Sequence, residues 1–166
     1  MAQYPAVTKN NTCIFCEIIK KGDPDVIFWE DKNCVAFLSI DPNTPGFSLV
    51  VPKEHYRSDI LNMPDAALQD FILAAKKVSE VLKNFYDDVG RVGLIMEGTG
   101  IDHAHIKLIP MHGTEYMKKG EWKQYPSDIE HWSDVYEGWL SSAGGPMAER
   151  ANLLKLSKQL RESQNW

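Results

Sequence analysis

The chain has 166 residues, of which 43% are apolar and 25% are charged, and its formal net charge is −5. A chain of this size and composition can bury a core without disulfide bonds, and we expect one domain over residues 1–166. The acidic charge argues against nucleic acid as a partner, and the lack of a membrane-length apolar run or signal peptide predicts a cytoplasmic protein without a membrane partner.

The first third of the chain indicates a short helix followed by three strands. Residues 13–20 predict a helical turn that starts with a C-x-x-C pattern. Two β-rich runs, 26–30 and 34–38, are joined by three polar residues, which is the pattern of a hairpin. After a turn rich in proline and glycine, residues 47–51 predict a third strand.

The middle of the chain changes to helical periodicity. Apolar residues recur at intervals of three and four, which predicts a helix of about 20 residues with one apolar face. These residues are Leu68, Phe71, Ala75, Val78, Leu82 and Phe85. Residues 92–96 and 103–109 predict two further strands paired as a hairpin, and 148–160 predict a closing helix. The elements predict an α+β fold, with a mainly antiparallel sheet of about five strands and the long helix on one face.

The last predicted strand carries the residues best suited to catalysis or metal binding. Read with a period of two, residues 103–110 divide into two faces. One face holds His103, His105, Lys107 and Ile109, and the other holds Ala104, Ile106 and Leu108. We expect the second face to be buried and the imidazoles to be displayed. Neutral imidazole is a nucleophile and a metal ligand near pH 7, so the pair suits either role, and an exposed strand without chemistry is a third interpretation.

Four segments of the chain, in this order and spacing, resemble the histidine-triad (HIT) family of nucleotide-binding proteins. They are the C-x-x-C segment 13–19, the paired strands ending in Ala36-Phe37-Leu38, the run Pro45-Gly46-Phe47-x-Leu49-Val50-Val51-Pro52-Lys53-x-His55, and the His103 motif. The resemblance covers residues 13–110, so that 111–166 form a C-terminal extension. It implies a HIT-like fold and a homodimer built around the long helix and a shared sheet. The apolar residues of that helix are then either partly interface or plain core.

The resemblance also implies a two-step reaction on the α-phosphate of a nucleotide conjugate, either a phosphoramidate or a dinucleotide polyphosphate. His105 would attack phosphorus and form a nucleotidyl-histidine, which water then hydrolyses. Lys107 would assist at the third position of the motif. A purine nucleotide is the implied ligand, and its implied binding residues are Phe15, Phe37 and Ile40 for the base, Asp41 for the ribose, and Gly98, Thr99 and Gly100 for the phosphate.

A structural zinc ion is the implied cofactor. The resemblance assigns it to Cys13, Cys16, His55 and His103, and two thiolates with two imidazoles form a closed tetrahedral set. The alternatives are a redox C-x-x-C and plain buried thiols. The third cysteine, Cys34, stands alone in a strand and is interpreted as a core residue.

The chain departs from the family pattern at positions that take part in the family's reaction or bind its substrate. Lys107 replaces the third histidine, Phe47 replaces the histidine of a Pro-Gly-His step, and the turn 98–102 is shorter than usual. Ser39 replaces an aspartate that binds the ribose, with Asp41 two residues further on.

Two hypotheses follow from these departures. In the first, the protein is a working hydrolase or transferase in which His105 is the nucleophile, Lys107 holds phosphate oxygens and His112 supplies a proton. In the second, it is a zinc-stabilised nucleotide-binding or regulatory protein with little turnover.

Overall fold

The computed structural model describes residues 13–122, 131–138, 146 and 148–152. The chain divides into two units after Trp122. The first unit contains two α-helices, α1 (Ile14–Lys21) and α2 (Asp65–Phe85), and five strands, β1 (Ile27–Glu30), β2 (Cys34–Leu38), β3 (Ser48–Pro52), β4 (Arg91–Ile95) and β5 (Ile106–Met111). Short 3-10 helices span Ile60–Asn62 and Glu115–Lys119.

The five strands form one sheet in the order β1-β2-β3-β5-β4, and all four neighbouring pairs are antiparallel. The predicted α+β class and the hairpin between the last two strands are confirmed. β5 lies between β3 and β4, with Lys107 opposite Leu49 on one side and opposite Ile95 on the other. The second half of the His103 motif, from Ile106 onward, therefore lies in an interior strand.

The two helices cover opposite faces of the sheet. Alternate strand residues such as Ala36 and Ile106 pack with the apolar face of α2 in the larger core. Their neighbours on the opposite face, such as Val35 and Phe37, pack with Phe15 of α1 in a second cluster. This division follows from the two-residue period of a strand, which sends successive side chains to opposite faces.

The motif strand differs from the prediction at its start. Ala104, Ile106 and Leu108 are buried against α2, as expected. The strand begins only at Ile106, however, and the His103 and His105 side chains are buried instead of displayed. Sequence periodicity gives the face of a side chain but does not show that α1 covers that face.

The second unit is described only in part. His131 forms an ion pair with Glu137, with 3.1 Å between Nε2 and Oε2. Helical backbone begins at residue 150 and is described to 152, so most of the closing helix predicted over 148–160 lies outside the described residues. The prediction of one domain over residues 1–166 stays a prediction. In the described part of the chain, no helix has both the length and the apolar character needed to cross a bilayer.

The segment after α2 forms hydrogen bonds with the turn after β5. The backbone N–H of Gly90 donates to Thr114 Oγ1 at 3.0 Å, and the backbone N–H of Thr114 donates to the Asp88 carbonyl at 2.9 Å. A Cβ atom at Gly90 would lie 2.0 Å from the Thr114 carbonyl oxygen. The backbone at this position therefore accepts only glycine without movement.

We predict that Gly90→Ala lowers the free energy of unfolding by about 1–3 kcal/mol, because overpacking forces a backbone shift. Gly93→Ala is the matched control, since its Cβ would lie 3.7 Å from the Ile109 carbonyl oxygen, an ordinary contact. Urea denaturation of both variants measures the effect. Equal midpoints for the two variants would contradict the prediction.

Candidate active site and metal centre

Four side chains from three parts of the chain meet beside α1. They are Cys13, Cys16, His55 and His103, and one donor atom from each lies within 4.8 Å of the others. The Sγ atom of Cys16 is 3.2 Å from His55 Nδ1 and 3.5 Å from His103 Nδ1. The Sγ atom of Cys13 is 3.4 Å from the same His103 nitrogen. Thiols and imidazoles are ligands of transition metals, so this group can hold a metal ion.

Local structure explains why the four donors meet. Cys13 and Cys16 are three residues apart at the start of α1, a spacing that places both on one side of a helix. The chain after β3 then runs beside the motif, because the Ala104 N–H donates to the Tyr56 carbonyl at 2.8 Å. This contact sets the ring of His55 4.7 Å from that of His103, measured between centroids.

The tautomer of His103 suits a metal ligand. Its ring is fully buried, and Nε2 lies 2.9 Å from the Pro52 carbonyl oxygen. Because a carbonyl oxygen can only accept, Nε2 carries the proton and Nδ1, which faces the cysteines, keeps its lone pair. Burial also lowers the pKa of His103 to about 4, so the ring is neutral at physiological pH.

Cys16 and Cys34 lie in different environments. Burial, together with the neighbouring charge of Cys13, raises the pKa of the Cys16 thiol. Cys34 is buried in the core against α2, and burial raises its pKa to about 12. Cys34 is therefore a core residue, as the sequence indicates, and it takes no part in the four-donor group.

His105 has the opposite tautomer. Its Nδ1 lies 2.7 Å from the carbonyl oxygen of His103, to which it donates, so Nε2 holds the lone pair. The ring of Phe15 lies edge-on to it, with centroids 5.5 Å apart. Burial lowers the pKa of His105, which keeps the imidazole neutral. A neutral ring with one fixed lone pair is the form that acts as a nucleophile.

His105 lines a cavity of about 370 Å³. The predicted site residues that share this cavity are Phe15, Asp41, Thr99, Gly100, His105 and Lys107. Ser39 and Phe47, which stand at positions where the chain departs from the family pattern, also line it. The structure thus brings together most of the residues that the sequence predicts for the phosphate and the reaction.

A second cavity of about 390 Å³ adjoins the first and is mainly apolar. Phe15, Phe37 and Ile40, the predicted base-binding residues, line it together with Asp41. Phe15 and Asp41 border both cavities. The two spaces share these residues and form one cleft, with an apolar end and a more polar end that contains His105.

Two predicted residues lie apart from this cleft. Gly98 borders neither cavity, and its Cα packs so closely on the Ser58 carbonyl that a Cβ would lie 2.9 Å from the oxygen. His112 follows the far end of β5, about 20 Å from His105 along the strand. Its ring is held by Asp88 at 3.0 Å and by the Pro45 carbonyl at 3.0 Å. The expectation that His112 supplies a proton at the site is wrong.

Sequence reasoning missed Glu97. Its carboxylate forms an ion pair with the Lys107 ammonium, and their side chains are 11% and 26% exposed. Burial lowers the pKa of Lys107, whereas a contacting carboxylate favours the charged ammonium. Because Lys107 pairs with Ile95 in the ladder, Glu97 is its diagonal neighbour on the same face. A long side chain spans that distance. The contact between Glu97 and Lys107 could therefore have been predicted from the hairpin if its register had been known.

The fold and site define an α+β protein with an imidazole in a two-ended cleft beside a four-donor metal-binding group. The model of the HIT domain matches residues 20–114. An uncharacterized HIT-like protein of Methanocaldococcus jannaschii is 40% identical over 126 residues, which cover 70% of this chain and 93% of that protein. The chain belongs to the HIT family.

Further relatives agree with this assignment. The adenosine 5'-monophosphoramidase of Schizosaccharomyces pombe is 33% identical over 123 residues, covering 72% of this chain and 89% of that enzyme. Among solved structures, a HIT family hydrolase from Clostridium thermocellum superposes with a TM-score of 0.51 at 30% identity, covering 63% of this chain and 93% of that one.

We predict that the purified protein holds one metal ion per chain and that Cys16→Ser abolishes it, because a four-donor set loses one ligand. Elemental analysis by mass spectrometry measures the stoichiometry. Chelation should lower the melting temperature of the wild-type protein, since the ion binds only the folded arrangement of donors. Cys34→Ala is the control and should keep its metal. Full metal content in Cys16→Ser would contradict the assignment.

Proposed function

We propose that the protein is a nucleotide hydrolase or nucleotidyltransferase that acts on the α-phosphate of a nucleotide conjugate through a nucleotidyl-His105 intermediate. The observation that carries the proposal is the tautomer of His105, whose Nδ1–H is committed to the His103 carbonyl while the ring borders the cleft. The Schizosaccharomyces pombe and Saccharomyces cerevisiae relatives named adenosine 5'-monophosphoramidase, 33% and 30% identical, support the same chemistry.

In the first step, Nε2 of His105 attacks the α-phosphorus. The new bond is P–Nε2, the bond from phosphorus to the leaving group breaks, and its electron pair departs with that group. The positive charge that develops on the ring is stabilised by the hydrogen bond from Nδ1 to the His103 carbonyl. Lys107, on the same wall of the cleft, stabilises negative charge on the phosphate oxygens.

In the second step, water attacks the phosphorus from the side that the leaving group vacated. The P–Nε2 bond breaks, its electron pair returns to His105, and the water proton goes to solvent as the nucleoside monophosphate forms. An imidazole suits both steps, because it is neutral enough to attack and a good leaving group afterwards.

The adjoining apolar cavity supports the proposed purine site. A base of that size would lie against Phe15 and Phe37, whose rings are 5.5 Å apart between centroids. Asp41 borders both cavities, which is the place for a group that binds the ribose between base and phosphate. Thr99 and Gly100 border the polar end and would contact the phosphate through their backbone N–H groups.

Zinc is the metal that we propose for the four-donor group. A tetrahedral zinc ion with Zn–S near 2.3 Å and Zn–N near 2.05 Å places its S and N ligands about 3.5 Å apart. The three S···N distances of 3.2, 3.4 and 3.5 Å fit this value. Four protein ligands leave no open position, so the ion would be structural, holding α1 and the motif together.

Apolar side chains of α2 that stay exposed support the proposed homodimer. Leu73 is 53% exposed and Phe85 is 76% exposed. A single chain leaves these residues in water, and a second copy would bury them.

We predict that brief mixing with an adenosine phosphoramidate or a diadenosine polyphosphate adds one AMP unit to the protein, detected by intact-mass spectrometry. His105→Ala should remove the adduct and lower turnover by about 10³-fold or more, because the nucleophile is lost. His112→Ala is the matched control, since this histidine lies outside the cleft.

An adduct that persists in His105→Ala would contradict the proposed nucleophile. Nucleotide binding without any adduct or AMP release would favour the second hypothesis, a nucleotide-binding protein with little turnover.

A further inference from the structure

An ion pair between Lys107 and Glu97 lies beside His105, and nucleotidyl transfer to His105 does not by itself require it. The Lys107 side chain borders the same cavity as His105, and the Glu97 carboxylate forms an ion pair with it. An ammonium has three N–H donors, and the contact with Glu97 occupies one of them. Within the described residues, two donors are therefore left for an anion beside the attacking imidazole.

The carboxylate determines how Lys107 acts. Glu97 is 11% exposed, and a carboxylate so poorly solvated needs a cation to remain charged. Burial lowers the pKa of Lys107, but the contact with the Glu97 carboxylate opposes that shift, so the pair favours the ionised form of both partners. At this position an imidazole would behave differently, since its pKa near 6.5 lets it donate and recover a proton at neutral pH.

We propose that the Lys107–Glu97 pair sets the leaving-group class, favouring nucleotide conjugates whose leaving group departs as an oxyanion over those whose leaving group departs as an amine. This inference rests on the proposed function and names the substrate class for it. Lys107 would contact the leaving group, and Glu97 is a positioning residue that acts through Lys107.

The bond changes in the two substrate classes explain the preference. In a phosphoanhydride, the P–O bond to the leaving group breaks and its electron pair stays on oxygen, so the group leaves as a phosphate anion without gaining a proton. A fixed ammonium stabilises that charge directly. In a phosphoramidate, the P–N bond breaks and the nitrogen must gain a proton to leave as an amine. A group that a carboxylate holds in its charged form assists this second reaction less.

The test compares kcat/KM for diadenosine tetraphosphate and adenosine 5'-phosphoramidate, which share the adenosine end and differ in the leaving group. We expect the wild-type protein to prefer the tetraphosphate. Lys107→Met should lower the rate with the tetraphosphate by about 10²-fold, the usual cost of removing a group that stabilises developing charge, and the rate with the phosphoramidate by about 10-fold or less. Lys107→Arg keeps the charge and should retain the wild-type preference.

Two further variants separate positioning from folding. Lys107→His should reverse the preference by raising the phosphoramidate rate relative to the tetraphosphate rate. Glu97→Gln should lower the ratio of the two rates by about tenfold, an effect that a general loss of stability would not produce because it reduces both rates equally. Glu30→Gln is the matched control, since Glu30 pairs with Lys53 at 3.0 Å and borders neither cavity of the cleft.

The outcomes distinguish this inference from the function on which it rests. An AMP adduct on His105 with both substrates, together with equal losses in Lys107→Met, would overturn the leaving-group assignment and leave the nucleotidyl transfer intact. The absence of an adduct with either substrate would overturn both.

Discussion

Two backbone carbonyl groups decide which nitrogen of each motif histidine carries a proton, and the chemistry of the site depends on this choice. The Pro52 carbonyl takes the proton of His103 Nε2, while the His103 carbonyl takes the proton of His105 Nδ1. One ring therefore turns a lone pair on Nδ1 to the cysteines, and the other holds its lone pair on Nε2 at the cleft. Two identical side chains, two residues apart, thus present different ring nitrogens because of their main-chain hydrogen bonds.

The short helix α1 joins the two roles. Cys13 immediately precedes this helix and Cys16 lies in its first turn, and both belong to the metal-binding group. Between them, Phe15 packs edge-on to both motif rings, at 5.9 Å from His103 and 5.5 Å from His105. The same ring borders both cavities of the cleft. A helix of eight residues has little stability in isolation. A metal ion at the four donors would hold it against the sheet, and thereby hold the wall of the cleft.

Much of this arrangement could be predicted from the sequence, because periodicity determines which face of an element is buried. The spacing of residues such as Phe71 and Val78 gave α2, and alternation gave the strands and the buried face of the motif. The grouping of Cys13 with His55 came from resemblance, since contacts between distant segments leave no local signal. The burial of His105 depends on α1 covering it, and the pairing of Glu97 with Lys107 depends on strand register. Neither follows from local pattern.

The pair of opposite tautomers can be measured by nitrogen NMR of the uniformly ¹⁵N-labelled protein with its metal bound. Long-range correlations between ring protons and ring nitrogens distinguish a protonated nitrogen from one with a lone pair. At neutral pH we expect a proton on Nε2 of His103 and on Nδ1 of His105, and the His105→Ala variant assigns the second set of signals. A proton on Nε2 of His105, or signals averaged between its two tautomers, would contradict this expectation.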